Sequence, residues 1–123
     1  MNYNPYSLEG KTILITGASS GIGRTTAIEC SKLGAKCVIT GRNAERLQEV
    51  YDLLEGDGHV QIIADLSSQE GIDVLVRLSP NIDGLVNNAG VGRTKLISFY
   101  KREDLDYIFQ TNTFAPMLIT KAL

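Results

Sequence analysis

The sequence predicts an α/β fold in which helices cover both faces of a parallel sheet. Short, continuous apolar runs alternate with longer stretches of helical periodicity along the whole chain. The apolar runs lack the polar alternation of a half-exposed strand, which is typical of strands buried on both faces. Because parallel strands need crossover helices between them, this order of elements favours a doubly wound parallel sheet.

Each element has its own sequence signal. The predicted strands are 12–16, 36–40, 60–64 and one centred on 85–86; the predicted helices are about 21–33, 43–54, a shorter one after Ser67 and Ser68 that ends before 79–81, and one from about Glu103 to the last residue. Gly34 is suited to close the first helix and Asn43 to cap the second.

The last predicted helix has no Gly, Asn or Pro at its end, and a doubly wound sheet extends beyond its fourth strand. We therefore expect residues 1–123 to form a single domain, the N-terminal half of such a fold, or a chain that something else completes.

Composition and charge limit the classes of function. The chain has 123 residues, of which 43% are hydrophobic and 21% charged, as in one globular domain. Twelve Lys and Arg against fourteen Asp and Glu give a net charge of −2 without a basic cluster, so no nucleic-acid partner is expected.

A leader sequence and a membrane-spanning run are lacking, which predicts a cytoplasmic protein without a membrane partner. Cys30 and Cys37, without spaced His ligands, predict two reduced cysteines and no metal site.

The most informative motif is Thr-Gly-Ala-Ser-Ser-Gly-Ile-Gly at 16–23, between the first strand and its helix. Glycines let the backbone turn sharply and approach a pyrophosphate, and the helix N-terminus offers N–H groups and a partial positive charge. The motif predicts a Rossmann-type dinucleotide site. A purely structural turn, or another nucleotide fold such as a methyltransferase, is the alternative.

The spacing Gly-x-x-x-Gly-x-Gly after Thr16 resembles the short-chain dehydrogenase/reductase family. Three further signatures follow in that family's order: Asp65-Leu66, Asn87-Asn88-Ala89-Gly90 and the Asn112 of Gln-Thr-Asn. The resemblance implies a catalytic role for Asn112. It also implies cofactor contacts at Gly17, Ser19, Ser20, Gly21, Ile22, Gly23, Asp65, Leu66, Asn88, Ala89 and Gly90.

The same residues allow structural interpretations. Asn87 and Asn88 also suit hydrogen bonds between neighbouring strands, and Asp65 suits a cap for the next helix. Asn112, taken alone, suits a helix-surface amide. These alternatives stay open at the level of sequence.

The loop after the second strand predicts NADP(H) in preference to NAD(H). Dinucleotide folds that select NAD place an acidic residue there to accept the ribose 2′-OH, whereas this chain has Thr40-Gly41-Arg42. The guanidinium of Arg42 suits a 2′-phosphate, and no carboxylate in this tripeptide repels one. Arg24 is a possible helper, and a solvated loop residue is the alternative for Arg42.

The proton-transfer residues of the family are not found in these residues. The family uses a Ser and a Tyr-x-x-x-Lys, because a nearby ammonium is needed to lower the pKa of a phenol that is otherwise near 10. None of the five tyrosines has a Lys four residues later. Ser98, Tyr100 and Lys101 are not assigned as catalytic, because adjacent residues do not share a helix face and their loop precedes the helix that bears Asn112.

The function predicted is therefore an NADP(H)-dependent oxidoreductase that passes hydride between nicotinamide and a carbonyl or alcohol substrate, with activity requiring a further C-terminal half. A general similarity to 3-oxoacyl-carrier-protein reductases implies a 3-oxoacyl thioester as one candidate substrate. The 123 residues alone are predicted to be inactive. The resemblance implies a homo-dimer or tetramer for the whole protein. The alternative function is a non-catalytic fragment that binds a nucleotide or docks onto a partner.

Overall fold

The computed structural model describes residues 3–92 and 95–123. In chain order the elements are β1 (Thr12–Ile15), α1 (Gly21–Lys32), β2 (Lys36–Gly41), α2 (Ala44–Leu53), β3 (Val60–Ile63), α3 (Gln69–Leu78), β4 (Gly84–Val86), a 3₁₀ turn (Ile97–Phe99), α4 (Arg102–Phe109), a π-helical segment (Gln110–Phe114) and α5 (Ala115–Ala122).

The four strands form one parallel sheet in the order β3-β2-β1-β4. The chain moves outward from β1 to β3 and then crosses back to place β4 on the other side of β1. The carboxyl ends of β1 and β4 therefore flank the point at which the strand order reverses, where ligands bind in open α/β sheets. The predicted α/β class and the doubly wound, Rossmann-type sheet are confirmed.

Two hydrophobic clusters cover the two faces of the sheet. On one face Leu14, Val38 and Ile62 pack with residues of α3 and α5. On the other face Ile15 and Ile39 pack with residues of α1 and α2. Neighbouring strand residues thus point to opposite clusters, which explains why the strands are apolar without alternation.

Polar side chains fix the starts of two helices as the sequence predicted. The Asn43 side chain accepts a hydrogen bond from the backbone N–H of Arg46 at the start of α2. Ser68 does the same for Gly71 at the start of α3. Gly34 follows the end of α1 with a φ of 98°, a conformation that glycine adopts without strain.

The helix predicted from about Glu103 to the last residue is not regularly α-helical throughout. Between α4 and α5 the chain takes a π-helical turn, in which Ala115 N–H bonds to the carbonyl of Gln110, five residues earlier. Pro116 lies in the first turn of α5 and lacks the N–H that would bond back to Asn112. Proline thus removes a regular helical hydrogen bond at this point. The predicted helical stretch is present without a gap from Arg102 to Ala122, but the π-helical turn within it was not predicted.

A buried ion pair anchors α4. The Asp104 carboxylate is 1% exposed and lies 2.9 Å from the Lys95 ammonium. It also accepts a hydrogen bond from the backbone N–H of Lys101 at the helix start, at 3.0 Å. These contacts hold the cavity-facing helix to the loop that precedes it.

Both cysteines are free thiols, as predicted. Burial, with a smaller contribution from Cys30, raises the pKa of the Cys37 thiol to about 12. Within the described residues, no helix is both long and apolar enough to cross a bilayer.

Candidate functional site

A cavity of about 430 Å³ lies at the carboxyl ends of the strands, where the strand order reverses. The loops after β1, β2, β3 and β4 all contribute to it, together with α4 and the π segment. Nine of the residues predicted to hold a cofactor line it: Gly17, Ser19, Ser20, Arg42, Asp65, Leu66, Asn88, Ala89 and Gly90. The fold therefore brings together motifs that are more than seventy residues apart in sequence.

The glycine turn, residues 16–23, depends on close backbone packing. Gly17 has a φ of 63°, and a Cβ there would lie 2.8 Å from the Cα of Ala89. A Cβ on Gly23 would collide with the carbonyl oxygen of Gly17 and lie 2.5 Å from Nδ2 of Asn88. Only glycine fits at these two positions, because the start of α1 packs directly against the loops.

Thr16 joins the glycine turn to the loop after β4. Its hydroxyl oxygen accepts hydrogen bonds from the backbone N–H groups of Asn88 and Ala89, both at 2.9 Å. The Asn88 side chain returns a bond to the carbonyl of Gly17 at 3.2 Å. Sequence reasoning did not assign this role to Thr16, although its place at the strand end directly before the glycines was a usable signal.

Three predicted contacts of the glycine turn do not line the cavity. Gly21 has a φ of 58° at the start of α1, and the side chain of Ile22 is 78% exposed. Gly23 contributes through packing against Gly17 and Asn88, as just described. Arg24 is also outside the lining.

The second part of the cavity wall is polar, and we call it the Arg42 rim: Arg42, Arg46, Asp65 and Tyr107. Nη1 of Arg42 donates a hydrogen bond to the Tyr107 hydroxyl at 2.9 Å. Among the described ion pairs, none involves Arg42 or Arg46. The rim thus places two arginines at the cavity, and neither forms an ion pair with a carboxylate of residues 3–92 or 95–123.

Asp65 is held by its neighbour and does not cap α3. Its Oδ1 accepts bonds from the backbone N–H and the hydroxyl of Ser67, at 3.0 and 2.6 Å. These two bonds, with a smaller effect of the Arg42 charge, hold the pKa of the carboxyl below its usual range. Leu66 buries its side chain in the core, so only its backbone is available to the cavity.

Asn112 lies in the π segment and holds the loop after β4. Its Oδ1 accepts from the N–H of Val91 at 2.8 Å, and its Nδ2 donates to the carbonyl of Val91 at 2.7 Å. Both polar groups of the side chain are thereby engaged. Asn112 is not itself in the cavity lining, but Val91 is.

Asn87 has a structural contact: its amide donates to the Thr120 hydroxyl at 3.1 Å and ties the end of β4 to α5. Ser98, Tyr100 and Lys101 lie outside the cavity lining. In residues 3–92 and 95–123, no three His, Cys, Asp or Glu side chains are grouped as a metal site requires.

Several lining residues were missed by sequence reasoning. Arg46 was detectable, since it lies one helical turn after Arg42 at the start of α2. Thr40 and Thr111 had no signal, yet each has a buried hydroxyl oxygen without a partner in the described part of the structure. Buried polar atoms are normally hydrogen-bonded, so these two hydroxyls are exceptions, and each oxygen is too deeply buried to contact a ligand in the cavity without a local shift.

Comparison with known proteins agrees with this geometry. The family model for short chain dehydrogenases matches residues 11–123. The 3-oxoacyl-(acyl-carrier-protein) reductase of Rickettsia prowazekii is 37% identical over 114 residues, which are 93% of this chain and 47% of that protein. Gluconate 5-dehydrogenase of Gluconobacter oxydans is 36% identical, covering 96% of this chain and 48% of its own.

A solved structure is similar over the same region. L-sorbose reductase from Gluconobacter frateurii, complexed with NADPH and L-sorbose, superposes with a TM-score of 0.89 at 30% identity, covering 96% of this chain and 48% of that one. The chain spans about half the length of the curated relatives it matches. The cavity, the glycine turn and the family match lead to one assignment: the chain belongs to the short chain dehydrogenase family of oxidoreductases.

Proposed function

We propose that this chain forms the NADP(H)-binding part of an oxidoreductase that transfers hydride between nicotinamide and a carbonyl or alcohol substrate. The observation that carries the proposal is the Arg42 rim. Two guanidinium groups line the cavity next to β2, where an NAD-selecting fold has a carboxylate for the ribose. Guanidinium groups match the geometry and charge of a 2′-phosphate.

The residues present fit a dinucleotide. The cavity volume of about 430 Å³ is in the range of small-molecule sites, and the close approach of Gly17 to Ala89 leaves no space for side chains there.

The roles proposed for the residues follow from their positions. The backbone of the glycine turn would hold the pyrophosphate at the start of α1, and Arg42 and Arg46 would bind the 2′-phosphate. Asp65 and the backbone of Leu66 would contact the adenine. Ala89 and Gly90 would contact the ribose. When bound, the nicotinamide supplies or accepts the hydride. Asn112 would keep the loop after β4 in place through its two bonds to Val91.

Proton transfer needs residues that these 123 do not supply, since none of the five tyrosines has a Lys four residues later. We therefore propose that the whole protein takes its Ser and Tyr-x-x-x-Lys from a further segment. The relatives named above suggest two substrate classes, 3-oxoacyl thioesters and sugar-derived ketones or alcohols.

Cofactor titration of the purified natural protein, after its intact mass has been measured, tests the proposal. A charge-assisted hydrogen bond to the 2′-phosphate contributes about 1.5–3 kcal/mol, so NADPH should bind about ten- to a hundredfold more tightly than NADH. Equal affinities, or tighter binding of NADH, would contradict the NADP(H) proposal.

Activity separates the enzyme from a non-catalytic binding fragment. A mass above 13.4 kDa, together with NADPH oxidation that depends on an added 3-oxoacyl thioester or ketone, would support the reductase. A mass of 13.4 kDa with cofactor binding and no turnover would favour the binding fragment instead.

A further inference from the structure

The hydrogen bond between Arg42 and Tyr107 joins two elements across the wall of the cavity. Arg42 follows β2, whereas Tyr107 lies in α4, sixty-five residues later, and the Nη1 to hydroxyl distance is 2.9 Å. Both residues line the cavity, as does Thr111, four residues after Tyr107. A face of α4 and the π segment is therefore directed at the loop that carries the candidate phosphate ligand.

The chemistry of this partner differs from that of the usual partner of arginine. A carboxylate would orient the guanidinium but would also neutralise it and repel an incoming phosphate. A phenol hydroxyl is uncharged, so it orients Arg42 without forming an ion pair with it. In the described part of the structure, the printed side-chain bond of Arg42 uses one of its five N–H donors, which leaves donors for a phosphate.

Arg42 needs such a partner because it is exposed. The charge of Arg42 helps to lower the pKa of the nearby Asp65, but Oδ1 of that carboxylate accepts its hydrogen bonds from Ser67. A long, exposed arginine samples many rotamers, and ordering it reduces the affinity for any ligand that it must bind. Tyr107, which is half-buried in α4, restricts that freedom before the ligand arrives.

We propose that Tyr107 is a positioning residue for Arg42 and thereby a determinant of selectivity for a 2′-phosphorylated adenosine over an unphosphorylated one. The inference rests on the proposed NADP(H) preference. Tyr107 acts through Arg42, so its contribution disappears when Arg42 is absent.

The test uses the purified natural protein and two probes that lack nicotinamide, adenosine 2′,5′-bisphosphate and 5′-AMP, with affinities measured by calorimetry. Tyr107→Phe keeps the ring and removes the acceptor. We expect it to weaken binding of the bisphosphate about threefold to tenfold and to change 5′-AMP binding less than twofold. Because both probes share the adenosine, a merely structural loss would weaken both equally.

Two further variants complete the test. Tyr51→Phe removes a phenol hydrogen bond to the His59 carbonyl outside the cavity and should leave the ratio of the two affinities unchanged. The double variant Arg42→Ala, Tyr107→Phe should match Arg42→Ala alone. An additional loss in the double variant would mean that Tyr107 acts independently of Arg42, and would overturn the inference.

The outcomes distinguish this inference from the proposed function. If the unmodified protein prefers the bisphosphate and Tyr107→Phe retains that preference in full, the inference fails while the NADP(H) proposal stands. If the unmodified protein shows no preference, the NADP(H) proposal fails and the inference fails with it.

Discussion

The glycine turn and the Arg42 rim line the same cavity by different physical means. In the glycine turn the essential contacts are backbone contacts: the carbonyl of Gly17 bonds to the Asn88 side chain, and Gly23 packs where no Cβ fits. In the rim the contacts are made by long polar side chains, led by the bond from Arg42 to Tyr107.

The two regions should therefore respond differently to substitution. A change in the glycine turn moves the backbone of β1, α1 and the loop after β4 together, so stability and binding fall together. A change in the rim removes one charge or one hydrogen bond at the surface, which alters ligand choice with little effect on the free energy of unfolding.

The largest effect is expected for Thr16→Val, which keeps the shape and removes the hydroxyl. The part-buried N–H of Ala89 then loses its acceptor, and that of Asn88 keeps a bond to the Val86 carbonyl. Leaving a donor without its acceptor costs about 1–3 kcal/mol, so with two bonds to the hydroxyl removed we expect a loss of about 2–3 kcal/mol in the free energy of unfolding, measured with urea. Thr16→Ser retains the hydroxyl and should lose about 1 kcal/mol for the missing methyl. Equal stabilities of the two variants would contradict this.

A smaller loss is expected for Gly23→Ala. The new Cβ collides with backbone at Gly17, and overpacking of this kind costs about 1–3 kcal/mol. Because the collision is with backbone rather than with a flexible side chain, the cost should lie in the upper part of that range, at about 2–3 kcal/mol. Alanine is favoured over glycine in a helix by about 1 kcal/mol, so the net loss in unfolding free energy should be about 1–2 kcal/mol. Gly92→Ala is the control, since none of the described residues would lie within 4 Å of its Cβ, and it should stay within about 0.5 kcal/mol. NADPH affinity should fall for Gly23→Ala and not for Gly92→Ala.

The smallest effect belongs to the rim. The two bonds from Ser67 lower the pKa of Asp65 in the folded state below its unfolded value of about 3.9. The carboxylate therefore adds stability above that unfolded value, and the contribution is lost as the pH falls through the folded pKa. When the pH is lowered from about 7 to about 3, the free energy of unfolding should fall less for Asp65→Asn than for the unmodified protein. Solvent screens this exposed group, so the difference should be the smallest of the three. Asp57→Asn, in the exposed turn before β3, should behave as the unmodified protein does.

Much of the fold was predictable because it depends on local signals. The apolar strands, the caps Asn43 and Ser68 and the glycine that ends α1 all occur where the sequence placed them. The π-helical turn in the last helix was not predicted, although Pro116 was visible in the sequence. A proline within a helical pattern leaves several solutions open, and packing around the π segment selects one.

The site divides in the same way. The glycine motif and Arg42 were predicted from their order and spacing to lie at one site, because glycines and cations at fixed places in a strand–turn–helix unit are typical of phosphate binding, and Gly17 and Arg42 do line one cavity. Tyr107, Thr111 and the anchoring role of Asn112 were not, since each depends on how α4 and the π segment lie against loops that are distant in sequence.

By itself the sequence determined the sheet class, the helix ends, the glycine turn and the cation after β2, all of which follow from hydrophobic period and local backbone chemistry. Only the tertiary structure decided that Thr16 holds the loop after β4, that Asp65 bonds to Ser67 rather than capping α3, and that the Tyr107 hydroxyl accepts a hydrogen bond from Arg42. Side-chain partners that are many residues apart are chosen by the packing of whole elements, and no local pattern records that choice.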